Sequence, residues 1–229
     1  MNLRIFDSAE TLADAACDYV LRWIEGTSGR IAVALSGGST PRLLYSRLGA
    51  EPARQRLATR EIIWIAQDER FVPPDHPESN AGMIRESLFA RGMAESHRFL
   101  RFPTEIGDPE RVAERFEEQW RALDPGDIEI GLFGVGEDGH TASLFPGTPI
   151  LEIDDRIAAA VYVERLDTWR LSLTLPVLRG AKQKVILAAG EGKKAIIERV
   201  REGEELPIVL VGSLEPDAWW FIDRAAYPE

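Results

Sequence analysis

Two glycine-rich turns, one histidine and a few isolated charges carry the chemistry available to this 229-residue chain. Ser36-Gly37-Gly38-Ser39-Thr40 follows a wholly apolar run and precedes Pro41. Two glycines let backbone N–H groups approach a ligand, two kinds of hydroxyl flank them, and the start of a helix adds positive dipole density. Together these suit an anion such as a phosphate. No Gly-Lys-Ser/Thr follows, so a nucleoside-triphosphate loop is not indicated. The same spacing also serves a tight turn that binds nothing. A second turn, Gly134-Val135-Gly136-Glu137-Asp138-Gly139, fits the dinucleotide pattern, but Pro146 interrupts the long helix that such a turn must open. The turn reads better as a loop presenting Asp138 and His140 to one pocket. A neutral imidazole, with an ordinary pKa of about 6.5, is a natural general base near neutral pH.

The remaining candidates are single charges at strand ends. Asp68-Glu69-Arg70 follows an apolar strand and suits either the floor of a polar site or a salt-bridged turn. Lys193 closes the turn Gly190-Glu191-Gly192-Lys193. Lysine is rare here, at 182, 184, 193 and 194 against 23 arginines, so one at such a turn suggests a phosphate clamp. Arg170 can supply a second cation for the same group. His76 reads as part of a solvated loop and His97 as an ordinary strand residue. No His-x-x-His or His-Glu-x-x-His pair is present, so no metal and no cofactor are expected.

Alternating helical and strand-like segments must position these groups. Asp7 with Glu10 resembles a capping box ahead of a helix whose apolar positions run from Leu12 to Ile24. Ile31–Leu35 is apolar throughout, as in a strand buried on both faces. Thr40 and Pro41 read as cap and first position of the next helix, which Gly49 stops. Strands are expected at 62–66, 97–102, 128–133, 158–163, 169–175, 185–189, 208–211 and 219–222. Helices are expected near 81–91, 109–123 and 193–202. Such alternation predicts an α/β fold: a mainly parallel, doubly wound, Rossmann-like sheet with helices on both faces, in a single domain covering 1–229. Ligands then gather beyond the carboxyl ends of the strands.

Composition narrows the function. Apolar residues make up 45% and charged ones 28%, the mix of a globular protein, and the net charge is −11. That surface repels nucleic-acid phosphates and anionic lipid, so neither nucleic acid nor membrane is an expected partner. The lone Cys17 forms no intrachain disulfide and reads as a small buried side chain. With no signal segment and no apolar run near eighteen residues, the expected location is cytoplasmic, as a monomer or weak homo-oligomer.

The segments Leu35–Pro41, Asp68–Pro73 with Ser79-Asn80, Gly134–Pro146, Arg170–Pro176, Gly190–Lys193 and Trp220–Asp223 resemble, in order, those of the 6-phosphogluconolactonase family. That family lies within the wider glucosamine-6-phosphate isomerase/6-phosphogluconolactonase group. The resemblance implies metal-free hydrolysis of a sugar-phosphate lactone, 6-phospho-D-glucono-1,5-lactone. It implies His140 as general base beside Asp138, with the Ser36–Thr40 turn, Lys193 and Arg170 on the phosphate. It also implies a place for Asp68 and Arg70 in the catalytic machinery. The related isomerases follow a similar Asp-Gly-His turn with Asn-Glu-Pro, where this chain has Leu144-Phe145-Pro146. The resemblance thus favours the hydrolase over the deaminating isomerase. A sugar-phosphate sensor, the remaining reading, calls for a DNA-binding segment and basic surface that the sequence lacks.

Overall fold

The structure, a computed structural model, describes residues 1–228. Eighteen named elements build it: β1 (Asn2–Phe6), α1 (Ala9–Gly26), β2 (Ile31–Leu35), α2 (Ser39–Leu48), α3 (Ala53–Ala58), β3 (Ile62–Ala66), β4 (Asp68–Arg70), α4 (Asn80–Ser87), β5 (His97–Leu100), α5 (Pro109–Leu123), β6 (Ile128–Gly134), β7 (Ala158–Val163), β8 (Thr168–Leu173), α6 (Leu175–Arg179), β9 (Gln183–Ala188), α7 (Lys194–Arg201), α8 (Pro207–Leu210) and β10 (Ala218–Asp223).

Seven strands form one parallel sheet in the order β1-β10-β9-β6-β2-β3-β5. Strands β2, β3 and β9 are buried along their whole length, which is why β2, β3 and β9 from Val185 onward are apolar runs rather than alternations. Alternate residues of β2 feed opposite cores. Ile31, Val33 and Leu35 pack with α1, α2, α3 and α4, whereas Ala32 and Ala34 pack with α5, α7 and α8. Helices therefore cover both faces. From β2 the chain winds outward through β3 to β5, then returns to lay β6 on the other side of β2. The sheet reverses direction between β2 and β6, and a crevice opens beyond their carboxyl ends.

Above that crevice lies a second sheet of three antiparallel strands, ordered β4-β8-β7. The sequence reading listed 158–163 and 169–175 as strands of a single, mainly parallel sheet. Only four residues separate β7 from β8, far fewer than a parallel crossover needs, so the two close as a hairpin. Gln67, fully buried, welds this sheet to the first. Its N–H donates to the Leu35 carbonyl at 2.9 Å and its carbonyl accepts from Leu173 N at 2.7 Å. Its side-chain amide donates to Ala34 O at 3.1 Å and Leu132 O at 3.0 Å.

Other expectations need correcting. The run 208–211 is not a strand: Pro207 sets a helical φ after the extended Leu206, and α8 forms instead. A four-residue apolar run does not distinguish a buried helix turn from a buried strand. The cap of α1 is Ser8 rather than Asp7, and Ser8 and Thr11 bond reciprocally through side chain and backbone. Helix α2 starts two residues earlier than Thr40–Pro41 suggested, at Ser39 behind Gly38. Strand β1 and helix α3 had no counterpart in the sequence reading. Strand β1 is a half-exposed edge held by β10, with the Arg4 guanidinium 4.6 Å from the Trp219 ring, so it shows no clean alternation. Cys17 is buried, and burial pushes its thiol up to about 11. No helix among the described residues is long and apolar enough to cross a membrane.

Glu69 anchors the loop between β4 and α4. Its carboxylate, 1% exposed, accepts from Arg70 N, Asn80 N, Ala81 N and Ser79 Oγ at 2.7–3.1 Å. Glu69→Gln turns an amide NH₂ toward those donors and should cost about 1–3 kcal/mol of stability. A denaturant midpoint unchanged from the parent would refute this anchoring role.

Candidate active site

The carboxyl ends of β2, β6 and β9, with β4 and β8 above them, enclose a cleft of about 360 Å³, the size of a small-molecule site. Leu35 ends β2, and the five residues 36–40 line one wall. Gly38 has φ +111°, a conformation that side chains of L residues rarely adopt, and it turns the chain into α2. A Cβ on Gly37 would stand 2.0 Å from Asn80 Oδ1, so the turn can approach α4 only as glycine. Ser36 Oγ is buried beside the cleft with no partner among the described residues. Buried hydroxyls are normally paired, so this one is set to meet a ligand or water.

The opposite wall comes from the turn after β6. Gly136 N donates to His140 O at 2.8 Å and Gly139 N to Gly136 O at 3.0 Å, which folds the turn back on itself. Asp138 Oδ1 accepts both the His140 backbone N–H, at 3.2 Å, and Nδ1, at 2.5 Å. Asp138 stands behind the imidazole rather than in the cleft wall. A Cβ on Gly136 would lie 2.0 Å from Nδ1, so the pair fits only over a glycine. The Phe145 ring packs on the imidazole with centroids 4.4 Å apart. Burial disfavours the charged Asp138 carboxylate, but its hydrogen bond to His140 and the charges of His140 and Arg165 outweigh that. The carboxyl stays well below the usual carboxylate range. An ionised Asp138 makes Nδ1 the proton-bearing nitrogen and leaves Nε2 as the acceptor. Nε2 has no hydrogen-bond partner among the described residues, and His140 lines the cleft.

Cations ring the same space. Arg70 and Arg170 stand directly opposite in the β4–β8 ladder, a like-charge pairing that an anion between them would relieve. Burial, and then the Arg70 charge, pull the Arg170 guanidinium below its ordinary value; its buried Nε has no partner among the described residues. Lys193 reaches the cleft from the turn after β9, held where Gly190 N donates to the Asp223 carboxylate at 3.0 and 3.1 Å. Asp68, the other candidate carboxylate, accepts from Ser143 Oγ at 2.8 Å and Asn80 Nδ2 at 3.1 Å, so it ties β4 to α4 and to the loop after His140. Arg70 donates to the Glu78 carbonyl at 2.6 Å and braces the loop below it.

Residues 36–40, Asp68, Arg70, His140, Arg170 and Lys193 thus share one cleft. His97 is buried against Trp64 Nε1, at 3.2 Å, and His76 lies at an exposed position of the 71–79 loop. Sequence reasoning assigned no role to Asn80, Ser143, Phe145 or Arg165. The first three lie in the motif segments and were open to notice. Arg165 sits in a hairpin connection with no motif around it. Among the described residues, no three or more His, Cys, Asp or Glu side chains converge as metal ligands would.

Comparison with known proteins adds the family. Residues 7–220 match the family described as glucosamine-6-phosphate isomerases/6-phosphogluconolactonase. The chain is 34% identical to the 6-phosphogluconolactonase of Rattus norvegicus, over 98% of this chain and 91% of that one. It is 36% identical to that of Synechocystis sp., over 78% and 75% of the two chains. The solved 6-phosphogluconolactonase of Trypanosoma brucei superposes with a TM-score of 0.85 at 25% identity, over 98% and 97%.

Gly136→Ala should push the imidazole off Asp138. The measurement is the downfield proton resonance of the Nδ1–H, present in the parent and lost in the variant. A resonance that survives the substitution would refute the close approach.

Proposed function

The chain belongs to the glucosamine-6-phosphate isomerase/6-phosphogluconolactonase family, and we propose that it hydrolyses 6-phospho-D-glucono-1,5-lactone to 6-phosphogluconate, a step of the oxidative pentose phosphate pathway. It is an enzyme of the hydrolase kind, as its curated relatives are. One observation carries the reading. A histidine with Nδ1 tied to a carboxylate leaves Nε2 open in a cleft rimmed by cations and an anion-type turn.

In this mechanism the substrate phosphate sits against the N–H groups and hydroxyls of Ser36-Gly37-Gly38-Ser39-Thr40, with Lys193 and Arg170 neutralising it. Held there, the lactone presents its carbonyl carbon to a water on His140 Nε2. His140 takes the water's proton as the oxygen attacks C1, and Asp138 stabilises the imidazolium that forms. The tetrahedral oxyanion accepts hydrogen bonds from Arg70 or a loop N–H. As the C1–ring-oxygen bond breaks, His140 returns the proton to the departing oxygen. Positioned base help is worth roughly 10²–10⁴-fold and one oxyanion donor about 10²-fold or more. Side chains and backbone supply every group, so the scheme is written without a metal or cofactor. Asp68 serves it by holding Asn80 and Ser143 in place.

Deamination of an amino sugar phosphate needs a further acid where the related isomerases carry Glu. Here Phe145 occupies that place and presents an apolar ring to His140. On this reading the whole chain works as one domain in the cytoplasm, as a monomer or weak homo-oligomer. Its net charge of −11 leaves neither nucleic acid nor membrane as a partner.

The assay generates the lactone in situ and follows its loss against the spontaneous background. His140→Ala should lower kcat by about 10²–10⁴-fold with KM little changed. Lys193→Ala should mainly raise KM, as loss of a remote grip does. A histidine variant that turns over at the parent rate would remove His140 from the mechanism.

A further inference from the structure

The β7–β8 hairpin delivers Arg165 to the back of the catalytic pair. Residues Glu164–Leu166 make one 3₁₀ turn, closed by Asp167 at φ 49° with its N–H on Glu164 O at 3.1 Å. Tyr162, Leu166 and Trp169 around it are exposed, so apolar burial does not explain the turn's position. What the turn does touch is polar and specific. The Arg165 guanidinium donates to Asp138 Oδ2 and lies 5.0 Å from the centre of the Phe145 ring. That ring in turn rests on the His140 imidazole. Asp138 is therefore shared: Oδ1 holds the histidine and Oδ2 holds the arginine.

We infer that Arg165 is a positioning residue for the hydrolytic step, clamping Asp138 and Phe145 so that His140 Nε2 keeps its aim at the water. The inference rests on the role proposed above for His140. Its charge also draws on the Asp138 carboxylate, which otherwise favours the imidazolium alone. Removing that charge strengthens the hold of Asp138 on protonated His140, and the base becomes free only at higher pH. The other charged residues sharing the cleft with His140 are Lys193 after β9, Asp68 and Arg70 from β4, and Arg170 from β8, while Arg199 from α7 donates to the Glu137 carbonyl at 3.5 Å and feels the Asp138 charge. Among the described residues, the only salt-bridge partners of Asp138 are His140 and Arg165. The Arg165 side chain is 54% exposed, so its electrostatic effect is screened and modest.

The test uses the full chain with Arg165→Met and Arg165→Lys. The His140 ring resonances, identified by their loss in His140→Ala, are followed through a pH titration by NMR, with His76 and His97 as internal references. The same variants are assayed for lactone hydrolysis across pH. In Arg165→Met the His140 resonances should titrate at higher pH than in the parent, with the acid limb of kcat/KM moving the same way. Misalignment should lower kcat about tenfold with KM within twofold of the parent. Arg165→Lys keeps the charge and should bring the titration back toward the parent. A His140 titration in Arg165→Met identical to the parent's overturns the inference, whatever the activity. A titration that shifts in Arg165→Met while the parent hydrolyses no lactone supports the coupling and overturns the proposed reaction instead.

Discussion

Asp138 Oδ1 holds two hydrogens of one residue, the backbone N–H and Nδ1–H of His140, inside a turn with no room for a side chain at Gly136. Everything the cleft can do depends on that constraint. It fixes the tautomer, because an acceptor at Nδ1 leaves the lone pair on Nε2. It also fixes direction, since the ring is pinned at one edge by a carboxylate and on one face by Phe145. A free surface imidazole would share the same chemistry but not the aim. Aim is what turns a weak base into an effective catalyst.

The sheet supplies the rest of the constraint. Because β2 and β6 lie side by side at the point where the winding reverses, the Ser36–Thr40 turn and the His140 turn face each other across one crevice. A Cβ on Gly134 would lie 3.9 Å from Ser36 Oγ, so the two turns approach to contact distance. The small antiparallel sheet, welded down through Gln67, brings Arg70 and Arg170 over the same opening. Two guanidiniums in register repel each other, and that stored repulsion is useful only if an anion arrives. The chain is strongly acidic as a whole, yet cations ring its cleft. The charge around the cleft is thus opposite in sign to that of the chain as a whole.

Stability and function meet in the loops above the sheet. Glu69 buries its carboxylate under four donors to hold the 71–79 loop, and Asp68, one residue earlier, spends its oxygens on Asn80 and Ser143. Two adjacent acids in one short strand therefore face opposite ways, one fastening the loop and the other the cleft. Their shared position at a strand's end does not distinguish the two. Which carboxylate meets which donor depends on where α4 and the loop after His140 come to rest.

Local sequence alone determined a good deal of this protein. Apolar runs such as Ile31–Leu35 and Ile62–Ala66, with β-branched members and turns at both ends, read as strands buried on both faces, and they are. Glycine turns at their carboxyl ends mark where backbone can meet a ligand, and His140 and Asp138 are close enough in sequence to pair by themselves. Tertiary structure decided what separation along the chain hides. Ile208 and Val209 became helix rather than strand because Pro207 and its packing overrode a pattern that fits both. Strands β7 and β8 left the parallel sheet because their connection is too short to cross over. Arg165 lies 27 residues from Asp138 and reached it only because that hairpin folds over the crevice. Periodicity reports which way a side chain faces within its own element; which distant element meets it is set by strand order, and strand order is a property of the packed whole.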